Sequence, residues 1–421
     1  MRVLVVGGGG REHALAWKIA KSPLVRKLWC APGNPGTARV AENLPLRADD
    51  VDALARWAAE QRVDLAVIGP EAPLVAGLSD RLAAAGVPVF GPTAAAARLE
   101  GSKAFAKEVM AAAGIPTAGH AVFDALEPAL AHARARLGRV VVKADGLAAG
   151  KGVVVCGSVE EAEAALRSIL VDRVHGDAGA RVVLEERLEG PEVSVIALSD
   201  GERVLALPPA QDHKRIFDGD RGPNTGGMGA FCPTPTLDAA QLADVERRVL
   251  LPTIREMARR GTPFRGALYA GLMVTRQGPM VLEYNARFGD PETQPILMRI
   301  RGDVVPALLG AARGDLSRLS LDVDPRAAVG VVLAADGYPG KVATGDAIEG
   351  AEGPFAEGVE VFQAGTARDG TGRLVTAGGR VLTVCALGDG LDGAAARAYE
   401  AAAGIRFRGR QYRTDIGRPR R

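Results

Sequence analysis

Several things are scarce in this 421-residue chain, and each scarcity removes a class of function. Aromatic residues make up 4%, too few to build stacking platforms for single-stranded nucleic acid. The four cysteines, Cys30, Cys156, Cys232 and Cys385, are scattered with no CxxC pair. That fits a reducing, cytoplasmic setting and argues against a cysteine-based zinc site. An excess of charge of one sign is missing: 52 basic against 50 acidic residues leave +2. No global field therefore points to nucleic acid or to an anionic membrane surface. No apolar run approaches the length of a membrane span, and the first residues lack the small-residue cleavage site of a signal peptide. Lysine is also rare, with nine against 43 arginines, and five of the nine fall between Lys103 and Lys214. In a chain whose basic charge is mostly arginine, the position of each lysine carries information.

What is present is 47% hydrophobic residue, enough for two to three domains at about 150 residues each, each with its own core. Over the first hundred residues strands are expected at 3–6, 27–31, 65–68 and 87–90, with helices at 11–21, 52–61 and 74–85 between them. Strands separated by helices imply parallel βαβ units. From Ser102 the pattern changes. A helix over 103–113 and another over 125–137 precede strands 140–143 and 153–156, which flank a glycine-rich turn and read as an antiparallel hairpin. Further strands are expected at 181–185, 192–198, 203–206, 267–275 and 279–284. The stretch 208–236 is rich in glycine and proline, and a loop this long is functional or disordered. From about residue 326 the chain turns β-rich, with strands at 328–334, 358–364 and 380–386. The division is thus 1–101, a Rossmann-like substrate domain; 102–325, with a lid subdomain over about 117–190; and 326–421.

The first strand runs into Gly7-Gly8-Gly9-Gly10-Arg11-Glu12-His13. Glycines let the backbone approach an anion, and the free N–H groups of a helix start favour a phosphate. A dinucleotide fingerprint needs glycine at position 12, where Glu12 stands, and an acid at the end of the second strand, which instead reads Cys30-Ala31-Pro32-Gly33-Asn34. A small phosphorylated molecule is the favoured ligand, and a tight turn without ligand is the alternative. Glu71, in Gly69-Pro70-Glu71-Ala72-Pro73-Leu74, follows the third strand, where ligands bind in open sheets; it is equally placed as an ordinary helix N-terminal acid.

The middle region carries the chemistry. Lys143 follows an apolar strand, and Ala144–Gly152 after it is a glycine loop able to close over phosphates. Lys103 starts the preceding helix. No GxxxxGK[ST] occurs, so this is not a P-loop. Glu185, Leu188 and Glu192 follow another apolar strand; taken alone they read as a solvated acidic turn. Glu283 and Asn285 end a strand, and alternation puts them on one face. Two oxygen donors suit Mg²⁺, which takes few protein ligands besides phosphates and water. Arg287, Asp290 and Glu292 follow at once, a costly cluster after a buried strand unless paired or functional.

Together these residues resemble the ATP-grasp superfamily. The motifs around them, including Gly9-Gly10-Arg11-Glu12-His13, Gly101-Ser102-Lys103, Gln211-Asp212-His213-Lys214-Arg215, the run 222–229 and the run 285–294, resemble one family within it, the phosphoribosylamine–glycine ligases, over nearly the whole chain. The resemblance implies a multidomain α/β and α+β protein: an ATP-grasp fold with an N-terminal Rossmann-like parallel sheet and a β-rich C-terminal domain. It implies ligation of glycine to 5-phosphoribosylamine through glycyl phosphate, with ADP and phosphate released, in purine biosynthesis. On this likeness Lys103, Lys143, Gly150 and Gly152 hold the ATP phosphates, Glu185 and Leu188 the adenine, Glu192 the ribose, and Glu283 with Asn285 a Mg²⁺ or Mn²⁺. Asp212, Lys214 and Arg287 face glycine and its acyl phosphate, with Lys143, Arg287 and Asp212 the catalytic set. Gly9, Gly10, Glu71, Asn224, Thr225, Gly226, Asp290 and Glu292 line the phosphoribosylamine side. Asp212 pairing with Lys214, and Arg287 with Asp290 or Glu292, are the plainer alternatives. Two departures stand out: strand 267–275 has no acid where many ATP-grasp sites have one, and Gln363 stands where the family tends to have histidine. An upstream amidotransferase is a conceivable transient partner, though no residue marks the contact. Nucleic acid and membrane are not expected partners.

Overall fold

The computed structural model describes residues 1–148 and 151–418. The N-terminal segment folds around five parallel strands in the order Glu42–Asn43, Lys27–Pro32, Arg2–Gly7, Leu65–Ile68, Val89–Phe90. Alternation along Arg2–Gly7 divides the core: Val3 and Val5 pack with Leu15 and Ile19 on one side, Leu4 and Val6 with Leu54 and Leu82 on the other. The two-residue edge strand at 42–43 carries too short a pattern to be read from sequence. The helix expected over 74–85 is two, Glu71–Val75 and Leu78–Ala84. Gly77 divides them at φ +84°, a left-handed conformation that glycine adopts without steric cost.

The lid is a four-stranded antiparallel sheet, His120–Phe123, Val182–Glu186, Val140–Ala144, Val153–Val155, as the hairpin reading requires, with Lys143 opposite Val153. One of its faces packs Val140, Val142, Val182 and Leu184 against helices Leu126–Arg134 and Val159–Leu170. The opposite face carries Lys143 and Glu185 into the cleft below. A second antiparallel sheet, Val204–Ala206, Glu192–Asp200, Arg265–Thr275, Gly278–Asn285, forms the floor.

The stretch 208–236 is neither a plain loop nor disordered. It forms Gln211–Asp212, a hairpin of Arg215–Phe217 with Arg221–Asn224, and Gly229–Cys232. The first and last of these join the C-terminal sheet, ordered Gln211–Asp212, Gly229–Cys232, Ala327–Ala334, Arg380–Gly388, Val359–Gln363. Helix Gly390–Ala403 covers it, burying Ala394, Ala398 and Ala402. The first and last segments meet at Gln363. Its N–H donates to His13 Nδ1 at 2.8 Å, and its carbonyl accepts from Asn34 Nδ2 at 2.8 Å. Burial, aided by Arg39, lowers the His13 pKa to about 4, so the ring is neutral and able to accept. Among the described residues no helix is long and apolar enough to cross a membrane.

Candidate active site

A cleft of about 400 Å³ opens between the lid, the central floor and the carboxyl ends of the N-terminal strands. At its lid end stand Lys103, Lys107, Glu185, Glu283 and Asn285. Lys103 begins helix Lys103–Ala112, capped by Ser102, and donates from Nζ to Gly146 O at 3.2 Å. The helix start is tied to the lid loop through Asp145, whose carboxylate accepts from Ser102 Oγ at 3.0 Å, Ala104 N at 2.8 Å and Arg181 Nη2 at 2.6 Å. Burial lowers the Lys103 pKa, against the pull of Glu283. Lys143 Nζ lies 2.9 Å from Glu185 Oε1 and donates to Leu282 O at 2.9 Å.

Glu283 and Asn285 reach the cleft because of an irregularity in their strand. Gly271 pairs with Glu283 but Leu272 pairs with Val281, so Leu282 is an extra residue, and its carbonyl is the one Lys143 takes. The position across from Glu283 is glycine, whose added Cβ would come within 3.3 Å of Glu283 Cγ. The absence of an acid on that strand thus leaves room for Glu283. Among the described residues no cluster of three His, Cys, Asp or Glu side chains is suited to a metal. A pair of oxygen donors in a lysine-lined cleft still fits Mg²⁺ or Mn²⁺, which complete their shells with water and substrate phosphate.

The opposite end is a web of ion pairs. Arg287 Nε lies 3.2 Å from Glu71 Oε2 and Nη2 lies 3.0 Å from Glu100 Oε1. Glu100 also takes the Ala286 N–H at 2.7 Å. Burial opposes the Arg287 charge, but Glu100 and Glu71 outweigh it and hold its pKa above the ordinary value. Arg287 therefore pairs with neither Asp290 nor Glu292, the partners weighed from sequence. Asp290 instead meets Arg380 Nη2 at 3.0 Å and Gln294 Nε2 at 2.7 Å. Glu292 is buried, accepts from Ser194 Oγ at 3.0 Å and Tyr269 OH at 2.9 Å, and has its pKa raised by burial and by Asp212. Asp212 pairs with Lys214 at 2.8 Å, and Lys214 also with Glu192 at 3.1 Å. Burial would lower the Lys214 pKa, yet these two carboxylates raise it well above the usual lysine value.

Thirteen of the expected residues line this one cleft, among them Glu71, Asp212, Thr225 and Gly152; Lys143 stands against its wall. Others do not. Leu188 lies in the turn beyond it, Glu192 is turned to Lys214, and Asn224 is exposed on its hairpin. Gly150 lies outside the described residues. Gly9 borders a separate crevice with Gly7, Gly8, Pro32 and Pro70. Its N–H already donates to Glu12 Oε2 at 2.7 Å. A Cβ at Gly7, Gly9 or Gly69 would strike the Glu12 side chain, and one at Gly10 would strike Gln294. The glycines make room for the protein's own buried carboxylate, which a reading of the loop by its glycines alone misses. Sequence reasoning also missed Lys107, Glu100 and Arg380. Lys107 and Glu100 lie inside helical patterns that look like ordinary helix faces, and Arg380 comes from a segment without any chemical motif.

Three layers, a lid over a lysine-lined cleft, and an oxygen pair at the end of a floor strand define an ATP-grasp enzyme. Solved biotin carboxylases share this fold: that of Campylobacter jejuni matches with a TM-score of 0.76 at 15% identity, covering 99% of this chain and 94% of that one. The chain matches the phosphoribosylglycinamide synthetase N domain over residues 1–100, its ATP-grasp domain over 101–293 and its C domain over 328–419. It is 50% identical to a phosphoribosylamine–glycine ligase of Vibrio vulnificus, covering 99% of this chain and 98% of that one. The ligase of Salmonella typhimurium is 49% identical over the same shares. The solved ligase of Thermotoga maritima superposes with a TM-score of 0.85 at 36% identity, covering 99% of this chain and all of that one. The chain belongs to the phosphoribosylamine–glycine ligase family.

Proposed function

We propose that this cleft joins glycine to 5-phosphoribosylamine at the cost of ATP, forming glycinamide ribonucleotide, ADP and phosphate. The observation that supports it most directly is the arrangement of one cleft with ammonium groups and an oxygen pair at one end and a framed guanidinium at the other. Phosphoryl transfer is largely positioning and charge neutralisation. Lys103 and Lys143 neutralise the ATP phosphates. Glu283 and Asn285 would hold Mg²⁺ or Mn²⁺, which when bound screens the charge of those phosphates. Arg287, with Lys214 beside Asp212, receives the glycine carboxylate and the acyl phosphate made from it. The lid, which brings Leu147, Ala148 and Gly152 to the cleft, keeps water from that intermediate. The substrate amine attacks the acyl carbon and phosphate leaves, so no nucleophilic side chain is required.

Glu185 and Leu188 serve the adenine and Glu192 the ribose. Glu71, Asp290, Glu292 and the run 224–226 border the amine substrate, with Gly9 and Gly10 at the phosphate side of that site. Since Glu12 takes the Gly9 N–H, Arg11 and Arg380, which also line the cleft, are the stronger anchors there. The enzyme works in the cytoplasm, is divided near 101 and 325, and makes transient contact with the amidotransferase that makes the unstable amine. Purified protein should release ADP when glycine and phosphoribosylamine are both supplied, and omission of either should abolish net product. Equal turnover with bicarbonate in place of glycine would instead mark a ligase for another acid.

A further inference from the structure

A third lysine lies at the lid end of the cleft, and the reaction as derived above does not use it. Lys107 follows Lys103 by one helical turn, on the same face. Its side chain is 3% exposed, and its Nζ lies 3.2 Å from the same Glu185 Oε1 that Lys143 approaches at 2.9 Å. It donates to Thr117 Oγ1 at 2.7 Å, and Thr117 donates on to Val281 O at 2.6 Å, two residues before Glu283. One buried carboxylate thus stands between two ammoniums from different layers. Lys143 belongs to the lid sheet and Lys107 to the helix beneath.

We propose that Lys107 is a positioning residue for the nucleotide: by holding Glu185 it leaves the charge of Lys143 directed at the phosphates. The electrostatics require a partner of this kind. With both lysines charged, the trio carries one net positive charge in a buried setting, where charges interact strongly. Without Lys107, the Glu185–Lys143 pair, already at 2.9 Å, is neutral and the cleft loses that charge. An incoming polyphosphate offsets the strain of the excess charge, a strain visible in Lys107 itself, whose pKa burial lowers to about 8. The link through Thr117 to Val281 holds this trio in register with Glu283 and Asn285.

The proposal rests on reading the lid end as the ATP site. Steady-state kinetics of the full-length enzyme test it. Lys107→Gln removes the charge and keeps a polar end for Thr117. It should raise the KM for ATP about tenfold, with kcat and the KM for glycine within about twofold, and Lys107→Arg should restore most of the loss. In a Glu185→Gln background, Lys107→Gln should add less than about twofold, because nothing remains for it to hold. A wild-type KM for ATP in Lys107→Gln, parallel increases in both KM values with a lower Tm, or a persisting tenfold effect in the Glu185→Gln background would each overturn the proposal. Lys107→Gln leaves Glu185 paired with Lys143 and so buries no uncompensated charge, and the Glu185→Gln comparison, with a thermal melt of each variant, supplies a second reading. Lys143→Met separates the two layers of inference. A wild-type KM for ATP in that variant refutes the reading of the lid end itself.

Discussion

The two ends of the cleft use opposite electrostatic designs. At the lid end three ammoniums, Lys103, Lys107 and Lys143, face two carboxylates, Glu185 and Glu283. At the other end the guanidiniums are matched: Arg11 with Glu12 at 2.5 Å, Arg287 with Glu71 and Glu100, Arg380 with Asp290. Lysine is a compact point charge on a flexible stem and arginine a planar fork that fixes geometry. The lid end is therefore arranged to attract a polyanion, and the other end to hold a frame whose shape precedes the substrate.

That contrast can be broken at several points. The largest effect belongs to Glu283→Ala, which should reduce turnover by about 10²- to 10³-fold, equivalent to several kcal/mol of lost charge stabilisation, with an unchanged Tm. Wild-type turnover at ordinary Mg²⁺ would remove Glu283 from the metal site. Arg287→Lys comes next. A lysine cannot span both Glu71 and Glu100, so kcat/KM for glycine should fall about 10²-fold while the KM for ATP stays put. Retained glycine kinetics would show that charge suffices there and that the frame does not matter.

Acid should loosen the seam that holds the frame's outer segments together. A protonated His13 can no longer accept the Gln363 N–H. Its folded pKa lies below the unfolded value, so the unfolded state binds more protons between the two. The stabilisation is complete above about 6.5 and is lost as pH falls through about 4, on the order of 3 kcal/mol in all. Thermal melts from pH 7 to pH 4 should show this, and His13→Gln should flatten the dependence. The smallest effect is expected from Arg380→Ala, about tenfold on the KM for phosphoribosylamine alone, since Arg380 also holds Gly226 O at 2.6 Å and Asp290 O at 2.8 Å. An equal rise for ATP would erase the distinction between the ends.

Much of the fold was legible because its signals are local. The βαβ alternation, the lid hairpin around Lys143 and the Glu283–Asn285 strand end all declare themselves within a dozen residues. What stayed hidden depends on partners far along the chain. Arg287 meets Glu71 and Glu100 from segments about 200 residues away, so no spacing announces the pairing. The bulge at Leu282 is a property of two strands together. The four opening glycines looked like an anion cradle because the carboxylate they accommodate, Glu12, is visible as their tenant only once the side chains are placed.

One feature of the fold bears on how the gene can be cut. Strands Gln211–Asp212 and Gly229–Cys232 leave the middle segment to join the last sheet, where Gly229–Cys232 pairs directly with Ala327–Ala334. A break in the chain near residue 325 would consequently sever a sheet and not a linker. The upstream fragment would display the unpaired backbone of Gly229–Cys232, an adhesive edge. The downstream fragment would display its mate. Two such pieces made together have a template for finding one another, and either made alone has a reason to aggregate.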